Sequence, residues 1–122
     1  MDNMKNLKRS CYCNDVKEIG EEVTVAGFIQ KTRDLGTLIF IDLRDRTGIV
    51  QLAFNSSTDK AIFEKARSCK TEYVLMAKGM VAERSSKNPD LETGDIEIVV
   101  SDLRTPNSSI VTPGVKGFPV YP

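Results

Sequence analysis

Three kinds of side chain in this sequence could together bind an unpaired nucleotide: an aromatic ring, a carboxamide and a set of cations. The aromatic is Phe40 in LIFID, and the carboxamide is Gln51 in GIVQ. The segments around them contribute Lys31, Arg33, Lys78, Arg84, Lys87 and Asn88. Unpaired bases stack on aromatic faces and pair with amides through their edges, while cations bind the phosphates. These residue types therefore favour a single-stranded nucleic acid as the ligand.

Each of these residues also has a simpler structural explanation. Aromatic side chains are usually buried, and a lone arginine, Gln51 or Glu97 on a strand is commonly an ordinary surface group. Around Phe40 the alternation favours the surface, because Ile39, Ile41 and Leu43 already occupy the opposite face. The hypothesis of a binding site therefore depends on a fold that brings the residues together.

The composition excludes several other chemistries. No histidine is present, which removes the usual general base and the commonest zinc ligand. The three cysteines, Cys11, Cys13 and Cys69, fit neither a disulfide framework nor a C-x-x-C pair, so we expect reduced thiols and no metal site. Seventeen basic and seventeen acidic residues give zero net charge, so any affinity for nucleic acid must come from local clustering.

The length and the hydrophobic pattern predict one folded, non-membrane domain. The chain has 122 residues, of which 40% are hydrophobic, as in ordinary globular proteins. No run approaches the roughly 18 apolar residues of a membrane span, and no apolar segment follows the basic N-terminus. We expect a soluble, cytoplasmic protein.

Hydrophobic alternation predicts five strands, and helical spacing predicts one helix. The predicted strands are Glu22–Lys31, Leu38–Asp45, Ile49–Phe54, Glu72–Arg84 and Gly94–Leu103. The helix follows N-cap residues within 55–58 and runs to Lys70, with Ile62, Ala66 and Cys69 on one stripe. A short helical turn is predicted over Asp15–Gly20.

This element order predicts an all-β fold with one helix. Three strands, a helix and two more strands make the OB-fold, a five-stranded Greek-key β-barrel with an α-helix between strands 3 and 4. Gly27 and Gly79 lie in mid-strand, where a small barrel bends its strands. The predicted domains are an N-terminal extension over 1–14, the barrel over 15–104 and a Pro-rich tail or linker over 105–122.

The motifs of this barrel resemble those of a known family. The segment TRDLGTLIFIDLRDRTGIVQLAF, at 32–54, is similar to the N-terminal anticodon-binding domain of bacterial-type aspartyl-tRNA synthetases, which belong to class IIb. The resemblance extends upstream through RSCYC at 9–13 and downstream through GDIE at 94–97, and covers about residues 9–104. Phe28 stands where the family often has Trp, and Ala82 where some relatives have a second arginine of strand 4.

The resemblance implies roles for six RNA-binding residues. Phe40 would stack on the central uridine of the anticodon, and Gln51 would hydrogen-bond it. Arg33 would help to read the first base, and Glu97 would contact anticodon bases from strand 5. Arg84 and Asn88 match positions that contact the anticodon stem and loop.

The implied partner is the anticodon stem-loop of tRNA(Asp), bound for aspartate–tRNA ligation. We expect no cofactor for this domain, no catalysis by this chain alone, and a monomer or a weak oligomer. ATP and magnesium would serve the catalytic domain of a full-length enzyme. Three alternatives remain: a general single-strand-binding OB-fold, a protein-interaction module, and the same domain of an asparaginyl- or lysyl-tRNA synthetase.

Overall fold

The computed structural model describes residues 10–105, which form a closed five-stranded barrel. The elements are a 3-10 turn at Cys13–Asp15, strands β1 (Glu22–Asp34), β2 (Ile39–Asp45) and β3 (Gly48–Phe54), helix α1 (Lys60–Ser68), and strands β4 (Val74–Glu83) and β5 (Ile96–Arg104). The strand order around the barrel is β1-β2-β3-β5-β4, with β3 and β5 parallel and the other neighbours antiparallel. The predicted fold class and the position of the helix are confirmed.

The barrel interior is filled by alternate residues of the strands, among them the three residues of β2 that the sequence pattern placed opposite Phe40. Ile39, Ile41 and Leu43 of β2 are at most 1% exposed. They pack with inward residues of the other strands, among them Val25, Ile29, Val50, Leu52, Phe54, Leu75, Ile98 and Leu103. Because the strands alternate, the residues between these positions form the outer face of the barrel.

Two mid-strand glycines let the strands bend, as predicted. A Cβ on Gly27 would lie 2.2 Å from the carbonyl oxygen of Arg44, and one on Gly79 would lie 2.2 Å from that of Val99. Near Gly27, β1 changes its partner from β4 to β2, and a bulge follows between Ile29 and Lys31. A second bulge lies beside Gly79, between β4 and β5.

Several predicted boundaries were wrong. β1 continues to Asp34, three residues beyond its predicted end, because the register with β2 runs to that residue. β4 starts at Val74 and not at Glu72, whose positive φ of 76° breaks the strand. The predicted turn over Asp15–Gly20 is instead the 3-10 turn at Cys13–Asp15, and the chain is extended at Val16, which is buried in the core.

The N-cap of α1 is Asp59 and not a residue of 55–58. Its side chain accepts a hydrogen bond from the amide of Ala61 at 2.9 Å. The polar residues before it form a turn of their own, in which the Thr58 hydroxyl accepts from the amide of Asn55. Because these residues hydrogen-bond to each other, the first side chain that can cap the helix is that of Asp59.

The segment before the barrel packs against it from Ser10 onwards. The amide of Ser10 donates to the carbonyl of Thr24 at 2.8 Å, and Cys13 is fully buried in the core. All three cysteines are free thiols. Within residues 10–105 no helix is long and apolar enough to cross a membrane. Apart from Thr105, the predicted tail lies outside the described residues.

Candidate nucleic-acid interface

The six predicted site residues lie on one connected surface, the outer side of β1, β2, β3 and β5 with the loop after β4. Strand pairing places Arg33 beside Phe40, and Phe40 beside Ala53. One step along, Gln51 lies opposite Glu97 across the parallel pair of β3 and β5. The fold thus brings together residues that are up to 64 positions apart in the chain.

Phe40 is half-buried on the outer face, and Arg33 lies over its ring. The guanidinium carbon of Arg33 is 5.1 Å from the ring centroid. The predicted orientation of Phe40 is confirmed, because its neighbours on β2 fill the core. A ring on a sheet surface beside an exposed cation offers a base both a stacking face and a charge for its phosphate.

Gln51 connects Arg33 to Glu97 through its carboxamide. Its Oε1 accepts from a guanidinium nitrogen of Arg33 at 3.1 Å, and its Nε2 donates to Oε1 of Glu97 at 2.9 Å. Arginine only donates and a carboxylate only accepts, so these two neighbours fix which way the amide points. Gln51 is 3% exposed, and these two bonds leave its amide one further N–H and one further lone pair.

Arg84 follows the last residue of β4 and is buried beneath a polar cleft of about 290 Å³. The cleft is lined by residues that include Lys31, Arg33, Asp42, Arg84, Lys87 and Asn88. Arg84 is 8% exposed, and its buried Nε makes no hydrogen bond within residues 10–105. A buried donor that finds no acceptor among the described residues can take one from water or from a ligand.

Asn88 and Lys87 shape the loop that closes this cleft. The side chain of Asn88 accepts from the amide of Asp90 at 3.0 Å, and its backbone amide donates to the carbonyl of Gly94 at 2.9 Å. Lys87 forms an ion pair of 2.6 Å with Glu83. This hydrogen bond lowers the pKa of Glu83 and raises the pKa of Lys87, so both groups stay charged at neutral pH.

The loop between β1 and β2 borders the site on the other side. Gly36 has a φ of +90°, and its amide donates to Oδ1 of Asp34 at 2.9 Å. Arg67, from α1, binds both the carboxylate of Asp34 at 3.2 Å and the carbonyl of Gly36 at 2.9 Å.

Sequence reasoning missed Arg67 and Asp42. Arg67 lies 31 residues from Gly36 in the chain, so no local pattern links it to the loop between β1 and β2. Asp42 alternates with Phe40 on β2, and that shared face was the available signal for its place in the cleft.

Comparisons with known proteins agree with this geometry. A family model described as an OB-fold nucleic acid binding domain matches residues 23–106. The chain is 47% identical over 116 residues to the aspartate–tRNA ligase of Ruminiclostridium cellulolyticum and 43% identical over 112 residues to that of Clostridium botulinum. These matches cover 92% and 90% of the chain but span only 19% of the length of each relative.

A solved structure gives a similar result. The asparaginyl-tRNA synthetase of Pyrococcus horikoshii, complexed with asparaginyl-adenylate, superposes with a TM-score of 0.70 at 27% identity. The match covers 88% of this chain and 24% of that one. The chain therefore belongs to the OB-fold nucleic acid binding domain family, and its sequence is similar to part of the bacterial aspartate–tRNA ligases.

Proposed function

We propose that this domain binds the anticodon loop of tRNA(Asp) for aspartate–tRNA ligation by a full-length enzyme. The observation that carries the proposal is the contact chain of Phe40, Arg33, Gln51 and Glu97 on the outer face. It offers a ring for stacking and, beside it, an amide held between a cation and a carboxylate. Those are the groups with which proteins read unpaired RNA bases.

The four groups divide the recognition between them. Phe40 holds a base by stacking, which is sequence-tolerant because every base has a π-face. Gln51 offers one donor and one acceptor to a base edge, and the family resemblance assigns it the central uridine. Arg33, Glu97, Arg84 and Asn88 surround this position and would contact the flanking anticodon nucleotides and the stem.

Catalysis is assigned to the remainder of such an enzyme. The matched relatives are about five times longer than the part this chain covers. Within residues 10–105 no group of three His, Cys, Asp or Glu residues could hold a metal ion. We expect the isolated domain to be a monomer or a weak oligomer in the cytoplasm.

The test is a titration of labelled anticodon stem-loops of tRNA(Asp), tRNA(Asn) and an unrelated tRNA. We expect the tRNA(Asp) loop to bind at least tenfold more tightly than the unrelated loop. Equal binding of all three would leave a general single-strand binder, and a tighter tRNA(Asn) complex would favour the asparaginyl alternative. No binding in the presence of a correctly folded domain would contradict the proposal.

Phe40→Ala should weaken binding of the tRNA(Asp) stem-loop by about 1–3 kcal/mol, because a stacking face is lost. Phe63→Ala is the matched control. Phe63 is also half-buried and also lies under a guanidinium, that of Arg67 at 5.1 Å, but it belongs to α1 and not to the strand face. Affinity should survive in the folded Phe63 variant, and equal losses in the two variants would argue against Phe40 as the stacking residue.

A further inference from the structure

A second concave region lies on the outer surface, where β1 passes from β4 to β2. Its cavity of about 400 Å³ is within the ~300–1,000 Å³ usual for ligand pockets. The apolar part of its lining consists of Ala26, Phe28 and Val74, and the polar part comes from the end of β2 and the hairpin after it, namely Arg44, Asp45 and Arg46. It therefore combines a half-buried aromatic side chain with two guanidinium groups.

This region continues the candidate interface along the same strands. Phe28 pairs with Arg44, as Arg33 pairs with Phe40. Arg44 is four residues beyond Phe40 on β2 and so lies on the same face, about 13 Å away. At the bulge of β1, Gln30 accepts a hydrogen bond from Nε of Arg44 and holds this guanidinium on the outer face.

Arg44 and Arg46 have no carboxylate partner in the described part of the chain. Neither Arg44 nor Arg46 forms an ion pair with any of residues 10–105. Arg46 lies over the ring of Tyr12, with its guanidinium carbon 4.6 Å from the centroid, and donates to the Tyr12 hydroxyl. The Asp45 carboxylate between them accepts from the amide of Cys13 and from Thr47. Two positioned guanidinium groups without an ion-pair partner between residues 10 and 105 suit a phosphodiester.

We propose that this region is a second nucleotide subsite, which holds the unpaired nucleotide immediately next to the anticodon on its 5′ or 3′ side. The base stacks against Phe28, and Arg44 and Arg46 bind its phosphates. This inference rests on the proposed function, since it extends the same RNA track from Phe40 towards the β2–β3 hairpin. It gives a function to Phe28 and to the two arginines that flank Asp45.

The charge component is tested by the double variant Arg44→Ala with Arg46→Ala. Its affinity for the tRNA(Asp) anticodon stem-loop should fall about tenfold at low salt. The slope of log affinity against log salt should become shallower by roughly 0.7 for each phosphate that the variant no longer binds. The matched control, Lys60→Ala with Lys70→Ala, removes the same charge from two exposed positions, the first residue of α1 and the second residue after its end. It should leave the slope nearly unchanged.

The stacking component is tested by Phe28→Leu, which keeps an apolar side chain between the strands. It should bind the intact stem-loop about fivefold more weakly with an unchanged salt slope. Stem-loops with an abasic site on the 5′ or the 3′ side of the anticodon locate the base. On one of the two, wild type and Phe28→Leu should bind equally, because the base that contacts Phe28 is already missing.

The outcomes separate this inference from the proposed function. If wild type binds no stem-loop, or Phe40→Ala has no effect, the proposed function fails first. If Phe40→Ala weakens binding but the Arg44, Arg46 and Phe28 variants bind like wild type, the subsite is refuted and the region is free to contact protein. An arginine effect without a Phe28 effect, or a Phe28 loss that persists on both abasic loops, also overturns the nucleotide subsite.

Discussion

At the residue scale, the side chains proposed to read RNA already hydrogen-bond to each other in the free domain. Gln51 is held by Arg33 on one side and by Glu97 on the other. A base arriving at Phe40 therefore meets an amide whose direction is set before binding. Such pre-organisation lowers the ordering cost of association, since the side chain does not have to be immobilised by the ligand.

Gln51 connects Arg33 to Glu97 and is also proposed to read a base. A charge exchange between β3 and β5 separates these two roles. Gln51→Glu places a carboxylate against Glu97 and should destabilise the fold by about 1–3 kcal/mol. Adding Glu97→Gln restores one donor and one acceptor between the strands and should recover most of that stability. RNA affinity should stay at least tenfold reduced in both variants, because position 51 no longer has a donor for a base.

The measurements are thermal unfolding and titration of the anticodon stem-loop on the same three proteins. Recovery of RNA affinity together with stability in the double variant would mean that Gln51 only positions Arg33. Loss of affinity with restored stability would show that the pair of Gln51 and Glu97 reads the base and does not only position Arg33.

The outward orientation of Phe40 could be predicted from the sequence. The burial of Gln51 and of Arg84 could not. Alternation along β2 fixes the face of Phe40, because its neighbours have no other place than the core. Gln51 is covered by Arg33 and Glu97, which are 18 and 46 residues away, and no local pattern shows such contacts. Arg84 is buried by the way the loop after β4 folds back over it, which again is a long-range property.

At the element scale, the barrel depends on a few positions, such as Gly27 and Gly36, where the space or the backbone conformation favours glycine. The order of strands and helix could be predicted from hydrophobic periodicity and from the mid-strand glycines. The spacing of apolar residues in each segment fits either a strand or a helix, but not both. The ends were less accurate, because they depend on pairing partners: β1 persists to Asp34 as long as β2 lies beside it. The cap of α1 shifted to Asp59 because residues 55–58 hydrogen-bond among themselves.

Gly27 and Gly36 should respond differently to the same substitutions. Gly27 has no room, since a Cβ would lie 2.2 Å from a backbone oxygen of β2, so Ala should cost roughly 1–3 kcal/mol and the larger Asn more. Gly36 has open space around it but a φ of +90°. There Asn should be tolerated better than Ala, because Asn accepts the left-handed region more readily.

Chemical denaturation of the four single variants measures whether Ala is tolerated better than Asn at position 27 and Asn better than Ala at position 36. If Asn were worse than Ala at both positions, space and not conformation would limit Gly36. If Ala at Gly27 cost nothing, β1 would not need its close approach to Arg44 in order to bend.

At the scale of the whole molecule, the residue composition limits the response to pH near neutrality. No histidine titrates near neutrality. Burial, with the Asp45 carboxylate adding to it, raises the pKa of the Cys13 thiol, which therefore stays neutral. Stability and RNA affinity should both be nearly flat between about pH 5.5 and 7. Stability should fall at acidic pH, because the Asp45 carboxylate connects the β2–β3 hairpin to the N-terminal segment.

Burial of Asp45 acts to raise its pKa, but the hydrogen bonds from Thr47 and from the amide of Cys13 outweigh it and lower the pKa below the ordinary 3.8. A lowered folded-state pKa means that the unfolded chain takes up the proton first. The stability due to Asp45 is thus fully present above the unfolded value and is lost as pH falls through the folded one.

Asp45→Asn should therefore destabilise the domain by about 1 kcal/mol at pH 7, a modest value because solvent screens this half-exposed group. The difference from wild type should shrink as pH drops below 3.8. Asp90→Asn is the control, since that exposed carboxylate makes no hydrogen bond within residues 10–105. Urea unfolding at pH 7, 5, 4 and 3 gives the comparison. A constant difference between wild type and Asp45→Asn at all four pH values would show that the ionised carboxylate is not what holds the hairpin to the N-terminal segment.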